Sequence, residues 1–119
     1  MTSLKVIVVD DNHTNRLLPG LFLRPLGHEV QECDSAEQAL AWLAHNHCDV
    51  VLLDISMPTV SGLQLCQQLR QEPQLRHLKI VAYTAHAMPA DVQLLEAAGF
   101  DKILIKPIRS HELLSVLSA

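Results

Sequence analysis

Short apolar runs alternate with longer amphipathic segments along the 119 residues of this chain. The run Val50–Leu53 is apolar at every position, so a strand formed there has no face suited to contact with water. Such a strand is typical of a parallel sheet that is covered by helices on both sides. The regular alternation therefore predicts an α/β fold with one doubly wound parallel sheet and right-handed crossovers.

The pattern predicts five β/α units, and we expect residues 1–119 to form a single domain because the length is typical of one. The predicted strands are Leu4–Val9, Glu29–Cys33, Asp49–Leu53, Lys79–Tyr83 and Ile103–Ile105. The predicted helices cover about residues 14–26, 36–43, 62–70, 89–98 and the segment after Ser110. Pro19 lies inside the first helical segment, where proline removes a hydrogen bond. We therefore expect a kink there, or a helix that starts later.

The ends of two helices carry capping signals. Ser35 can cap the second helix, with Gln38 three residues on at capping-box spacing. Gly99 follows the fourth helical segment, where a left-handed glycine commonly ends a helix.

The composition excludes several classes of protein. A formal net charge of −4 argues against a nucleic-acid binder, which needs a basic face. The longest apolar runs fall far short of the ~20 residues that cross a bilayer, so we expect no membrane partner. The residues Cys33, Cys48 and Cys66 contain no C-x-x-C motif, and we interpret them as buried free thiols of a cytoplasmic protein.

Polar side chains follow the predicted strands at the points where the strands end. These residues are Asp10 and Asp11 after the first strand, Asp54 after the third, Thr84 after the fourth and Lys106 after the fifth. Because the carboxyl ends of parallel strands lie along one edge of the sheet, we expect three carboxylates, a hydroxyl and an ammonium group to meet there.

Carboxylates held close together repel one another, and a divalent cation relieves that repulsion. An all-oxygen site suits Mg²⁺ (or Mn²⁺). A carboxylate beside such a cation can act as a nucleophile toward phosphorus. The cation, the Lys106 ammonium and the Thr84 hydroxyl would then hold the phosphoryl oxygens, and the product would be an acyl phosphate on one aspartate.

These residues match a known family over nearly the whole chain. The matching segments are Val8–Asn12, Leu52–Pro58, Gly62, Thr84–Ala85 and Lys106–Pro107. With them, the chain resembles the receiver (response-regulator) domain of two-component signalling. The segments 82–88 and 106–108 are most similar to receivers of hybrid histidine kinases. The resemblance implies a flavodoxin-like (βα)₅ fold with the strand order 2-1-3-4-5.

The resemblance also implies roles for the polar residues. Asp54 would accept phosphate from a phosphohistidine. Asp11 and Asp54 would bind Mg²⁺ directly together with the backbone carbonyl of Ser56, and Asp10 would act mostly through a water on the metal. Thr84 and Lys106 would contact the phosphoryl oxygens, and Pro107 would follow a cis peptide bond.

Several positions are expected to modify this scheme. Receivers usually carry an aromatic residue three positions before the lysine, where this chain has Ile103. Tyr83 is close in sequence but adjoins Thr84, so its side chain should point to the other face of its strand. The resemblance makes Ser56 and His86 candidates for tuning the lifetime of the phosphate.

Pro19 and Pro25 fall in the first helical segment, which in receivers is a common docking face for the phosphodonor, so we expect unusual geometry there.

The expected partners are a histidine kinase or a histidine-phosphotransfer protein as phosphodonor, and a downstream protein or a covalently linked output domain. We expect a signalling domain rather than an enzyme, limited to its own phosphorylation and dephosphorylation. Two alternatives stay open at this point. One is a degenerate receiver that binds partners without phosphate, for which Ile103 is the main support. The other is a Mg²⁺-dependent aspartate phosphohydrolase, although the second acid that such enzymes need is replaced here by Ser56.

Overall fold

A computed structural model describes residues 3–55, 62–85 and 89–118 of the chain. One parallel sheet contains five strands in the order β2-β1-β3-β4-β5, which confirms the predicted fold class and strand order. The strands are β1 (Lys5–Val9), β2 (Glu29–Cys33), β3 (Val50–Asp54), β4 (Lys79–Thr84) and β5 (Lys102–Ile105). The helices are α1 (His13–Leu23), α2 (Ala36–Leu43), α3 (Gly62–Gln71), α4 (Pro89–Ala98) and α5 (Ser110–Ser118). None of these helices has the length and apolar character needed to span a membrane.

The core consists of two apolar layers, one on each face of the sheet. Every residue of β3 is buried, and for Val50–Leu53 the unbroken apolar run predicts this burial. Alternate strand residues such as Val51 and Leu53 join a layer with residues of α2, α3 and α4, which we call the α2–α3 layer. The others, such as Val50 and Leu52, join residues of α1 and α5, and we call this the α1–α5 layer.

Helix α1 begins close to its predicted start and runs through its proline, but it ends three residues earlier than predicted. It begins at His13, and the Asn12 side chain caps it by accepting a hydrogen bond from the backbone N–H of Asn15 at 3.0 Å. The helix continues past the buried Pro19 to Leu23, so the expected later start is wrong.

Pro25 lies outside the α-helix, in a 3₁₀ turn over Arg24–Leu26. It stands in the first turn of that short helix, where its missing N–H leaves no bond unmade. Gly27 ends the turn in the left-handed conformation, with φ of 91°.

The two capping predictions are confirmed. Ser35 Oγ accepts a hydrogen bond from the backbone N–H of Gln38 at 3.1 Å, while the Gln38 side chain bonds the N–H of Asp34 rather than that of Ser35. Gly99 ends α4 with φ of 110°. The final helix, α5, begins one residue earlier than predicted, at Ser110. The backbone carbonyl of Arg109 accepts the hydrogen bond from the N–H of Leu113 that starts this helix.

The three cysteines are packing residues. Cys33, Cys48 and Cys66 are all free and buried, as predicted. Burial raises the pKa of each thiol from 9.0 to about 11. The thiols therefore stay protonated near neutral pH and act as small apolar groups in the core.

Candidate functional site

The carboxyl ends of the strands bring three acidic residues together. Asp10 and Asp11 follow β1, and Asp54 is the last residue of the neighbouring strand β3. One carboxylate oxygen from each of the three lies within 4.8 Å of the others. Asp10 and Asp54 are buried, at 0 % and 4 % exposure, whereas Asp11 is exposed. Such a cluster of hard oxygen donors is the donor set that Mg²⁺ prefers.

The Asp10 carboxylate is held at both of its oxygens. Oδ1 accepts a hydrogen bond from the backbone N–H of Asn12 at 2.8 Å. Oδ2 accepts a hydrogen bond from the Tyr83 hydroxyl. The backbone carbonyl of Asp10 also accepts from the Arg16 guanidinium at 2.9 Å, so the loop between β1 and α1 is tied at its first residue.

Lys106 supplies a positive charge to the same cluster. Its Nζ lies 3.6 Å from Asp10 Oδ2 and 3.5 Å from Asp54 Oδ1. The backbone N–H of Lys106 donates to the Thr84 carbonyl at 2.8 Å, which anchors the segment after β5 to the end of β4. The peptide bond between Lys106 and Pro107 is cis. Three carboxylates and one ammonium group leave this edge of the sheet with a net charge of −2.

Thr84 is the last residue of β4 and is 3 % exposed. The preceding residue, Tyr83, is the cross-strand partner of Asp54, so Thr84 lies one position beyond Asp54 at the same edge. Ser56 and His86, the two expected rate-tuning positions, lie outside the residues that the structure describes, as does the Ser56 carbonyl expected at the metal.

Ile103 and Tyr83 belong to opposite faces of the sheet. Ile103 is half-buried and packs against the α2–α3 layer. Tyr83 belongs to the α1–α5 layer, whereas its neighbour Ala82 belongs to the α2–α3 layer. The strand alternation therefore turns Tyr83 away from the face of Thr84, as predicted, but it turns Tyr83 toward the buried acids.

Sequence reasoning missed the contacts that Tyr83 makes in the site. The Tyr83 side chain is 1 % exposed, its hydroxyl bonds Asp10, and the Lys106 Nζ lies 4.7 Å from the centre of its ring. Burial is the main cause that raises the pKa of the Tyr83 hydroxyl above its ordinary value, and the hydrogen bond to Asp10 adds to it. The hydroxyl therefore stays protonated and remains a donor. The signal was the period of two along β4, which places Tyr83 on the same face as Asp54 once the register is known.

Gly62 supports the site through the backbone. A Cβ built on Gly62 would overlap the carbonyl oxygen of Asp54 and lie 2.8 Å from the Cα of Ile55. The first residue of α3 therefore packs directly against the chain that carries Asp54. Only glycine allows this close approach. The packing therefore explains physically why glycine stands at position 62, which the resemblance alone did not explain.

Comparison with known proteins places the chain in a family. The family model described as "Response regulator receiver domain" matches residues 6–118. The signal transduction histidine-protein kinase BarA of Shigella flexneri is 36 % identical over 115 residues, which are 97 % of this chain but 12 % of BarA. The chain therefore spans about an eighth of the length of that relative. The response regulator DivK of Brucella ovis is 34 % identical over 103 residues, covering 87 % of this chain and 84 % of DivK.

Solved structures agree with this assignment. The chemotaxis protein CheY4 of Vibrio cholerae superposes with a TM-score of 0.92 at 28 % identity and 98 % coverage of both chains. The receiver domain of a sensor histidine kinase from Pseudomonas aeruginosa, which holds a magnesium ion in its active site cleft, superposes with a TM-score of 0.88 at 27 % identity. That match covers 98 % of this chain and 96 % of the other. The chain belongs to the response regulator receiver domain family of two-component signalling.

Proposed function

We propose that Asp54 is the phosphoacceptor of this receiver domain, that it takes a phosphoryl group from a phosphohistidine, and that the domain extends over residues 1–119. The observation that carries the proposal is the position of Asp54 Oδ1, 3.5 Å from the Lys106 ammonium and within the cluster formed with Asp10 and Asp11. Phosphoryl transfer depends mainly on positioning and charge stabilisation, and this cluster offers both.

The three carboxylates fit a hard divalent cation. Asp10, Asp11 and Asp54 would hold Mg²⁺ (or Mn²⁺), joined by the backbone carbonyl of Ser56. When bound, the cation offsets the excess negative charge of the cluster and draws charge from the phosphoryl oxygens. The magnesium ion held by the related receiver from Pseudomonas aeruginosa supports this choice of metal.

The side chains have separate parts in the transfer. An Asp54 carboxylate oxygen forms a bond to phosphorus while the bond from phosphorus to the donor imidazole nitrogen breaks. That nitrogen keeps the electron pair, and the product on the chain is an acyl phosphate. Lys106 balances charge on one phosphoryl oxygen, and the Thr84 hydroxyl donates a hydrogen bond to another. Pro107 continues the Lys106 segment beyond its cis peptide bond.

The phosphodonor in this proposal is a histidine kinase or a histidine-phosphotransfer protein in the cytoplasm. The similarity to BarA, itself a histidine-protein kinase, supports such a donor. The buried free thiols agree with a reducing compartment. The added phosphoryl charge would change how the domain binds a downstream protein or a linked output domain, without direct binding to nucleic acid or membrane.

The alternatives are not favoured. A degenerate receiver is expected to lack part of the acidic site, whereas Asp10, Asp11, Asp54 and Lys106 are all present and close together. A phosphohydrolase of small molecules needs a second acid two residues after its nucleophile, and this chain has Ser56 at that position. The family to which the chain belongs is also a signalling family.

The proposal is tested by incubating the chain with Mg²⁺ and acetyl phosphate and reading the intact mass. We expect one labile phosphoryl adduct on the wild type and none on Asp54→Asn, which has nearly the same shape but a weaker nucleophile. An equal adduct on both proteins would show that Asp54 is not the acceptor.

A further inference from the structure

Tyr83 occupies a central place in the sheet. It lies on β4, where its cross-strand partners are Asp54 on β3 and Leu104 on β5. Partners in a parallel pair project to the same face, so Tyr83 and Asp54 share the face of the α1–α5 layer. The side chain is 1 % exposed, and its hydroxyl reaches Asp10 of the acidic cluster.

The Tyr83 side chain contacts two groups of the cluster with two different parts. The hydroxyl donates to Asp10 Oδ2, the same oxygen that lies 3.6 Å from the Lys106 ammonium. The Lys106 ammonium also lies over the face of the Tyr83 ring, 4.7 Å from the centre of the ring. Because Asn12 already bonds Oδ1, the hydroxyl completes the fixing of the Asp10 carboxylate at both oxygens.

We propose that Tyr83 is a positioning residue for phosphoryl acceptance: its hydroxyl orients the Asp10 carboxylate toward the metal, and its ring seats the Lys106 ammonium beside Asp54. This inference rests on the proposed function of the site. It assigns a chemical role to a residue that lies before Thr84 and is neither a phosphoacceptor nor a direct metal ligand.

Each half of the proposal has a physical basis. A carboxylate flanked by two others would rotate away from them if it were free, and outer hydrogen-bond partners that fix such ligands typically change metal affinity by about 10- to 100-fold. The electron-rich face of a tyrosine ring attracts an ammonium group, and more strongly where water is excluded. Lys106 has a side-chain exposure of 19 %, so most of its side chain is sheltered from water.

Two variants separate the hydroxyl from the ring. Tyr83→Phe keeps the ring and removes the donor, so we expect Mg²⁺ affinity to fall about tenfold. At saturating Mg²⁺, that variant should still be phosphorylated by acetyl phosphate at close to the wild-type rate. Tyr83→Leu also removes the aromatic ring that contacts the Lys106 ammonium. We expect its phosphorylation rate at saturating Mg²⁺ to be about fivefold lower than that of Tyr83→Phe.

Val81→Ala is the matched control. Val81 lies two residues earlier on the same strand, is fully buried, and belongs to the same α1–α5 layer. Its truncation loosens that layer without removing any group that contacts the cluster. We expect the Mg²⁺ affinity of this variant to equal that of the wild type, although its folded state is less stable.

The experiment is a calorimetric titration of the whole chain with Mg²⁺ in the absence of phosphodonor, followed by phosphorylation rates at saturating Mg²⁺. Weaker Mg²⁺ binding in both Tyr83→Phe and Tyr83→Leu, but not in Val81→Ala, supports the hydroxyl role, and slower phosphorylation at saturating Mg²⁺ in Tyr83→Leu but not in Tyr83→Phe supports the ring role. Unchanged or tighter binding in Tyr83→Phe, or an equal loss in Val81→Ala, overturns the inference while the proposed function stands. Failure of the wild type to bind Mg²⁺ overturns both.

Discussion

The ammonium of Lys106 lies between Asp54 and Asp10, 3.5 Å from a carboxylate oxygen of the first and 3.6 Å from one of the second. It enters the site from the segment after β5, while the two acids come from β3 and from the end of β1. The ammonium group of Lys106 therefore links the ends of three strands that are far apart in sequence. We expect the charge of Lys106 to weaken metal binding and to favour phosphoryl transfer.

Lys106→Met should bind Mg²⁺ more tightly than the wild type and accept phosphate more slowly. The substitution keeps an unbranched side chain but changes the net charge of the cluster from −2 to −3, which favours the cation. It also removes a donor to the phosphoryl group, which typically slows such reactions by about 10²-fold. Metal titration and phosphorylation rates measure the two effects. Equal losses in both would indicate a general disturbance of the site and contradict this account.

Mg²⁺ should stabilise the folded chain through the acidic cluster. Binding to the folded state alone adds about 2.7 kcal/mol to the free energy of unfolding at 100 times the dissociation constant. Asp11 is exposed, so Asp11→Asn should fold normally and lose most of the Mg²⁺-dependent rise in melting temperature.

Glu96→Gln, which neutralises an exposed acid on α4, is the control and should keep the full rise. Thermal melts in EDTA and in Mg²⁺ at matched ionic strength decide the question. A rise of equal size in Asp11→Asn would mean that Mg²⁺ stabilises the chain elsewhere.

Two glycine substitutions should have opposite effects on stability. In Gly62→Ala the new methyl group meets the backbone of Asp54 and Ile55, which cannot move without shifting the Asp54 side chain, so we expect a loss of about 2 kcal/mol. In Gly20→Ala the three nearest atoms belong to the half-exposed side chain of Arg24, which can turn away at the cost of its exposed hydrogen bond to the Val30 carbonyl. Because alanine is the better helix former, Gly20→Ala should gain up to about 1 kcal/mol.

Urea unfolding of both variants measures these free energies, and phosphorylation by acetyl phosphate reports on the site. Gly62→Ala should also be phosphorylated more slowly than Gly20→Ala. A Gly62→Ala variant as stable and as reactive as the wild type would show that α3 can move away from Asp54 without cost.

The parts that sequence reasoning predicted depend on short-range pattern. The apolar run Val50–Leu53 identifies a parallel strand covered on both faces, and the shared edge of parallel strands then brings the residues at the ends of β1, β3 and β5 together. No knowledge of side-chain packing is needed for that step. Fold class and the gathering of Asp10, Asp54 and Lys106 follow from it.

The parts that it missed depend on register and on close packing. The contact between Tyr83 and Asp10 requires β4 to align Tyr83 with Asp54, and the sequence of one strand does not contain that alignment. Helix α1 runs through Pro19 because packing of its buried residues Pro19, Gly20 and Leu23 offsets a local cost of about 3 kcal/mol, which is more than the cap from Asn12 contributes. Local propensity alone cannot rank two such opposing effects.

The most direct test of the phosphoacceptor assignment is transfer from a phosphohistidine donor protein, followed by borohydride reduction and peptide mass spectrometry. Borohydride converts an aspartyl phosphate into homoserine and so marks the acceptor permanently. We expect the mark at position 54 alone, present with Mg²⁺ and absent with EDTA or in Asp54→Asn. A mark at Asp10 or Asp11, or one that persists in Asp54→Asn, would contradict it.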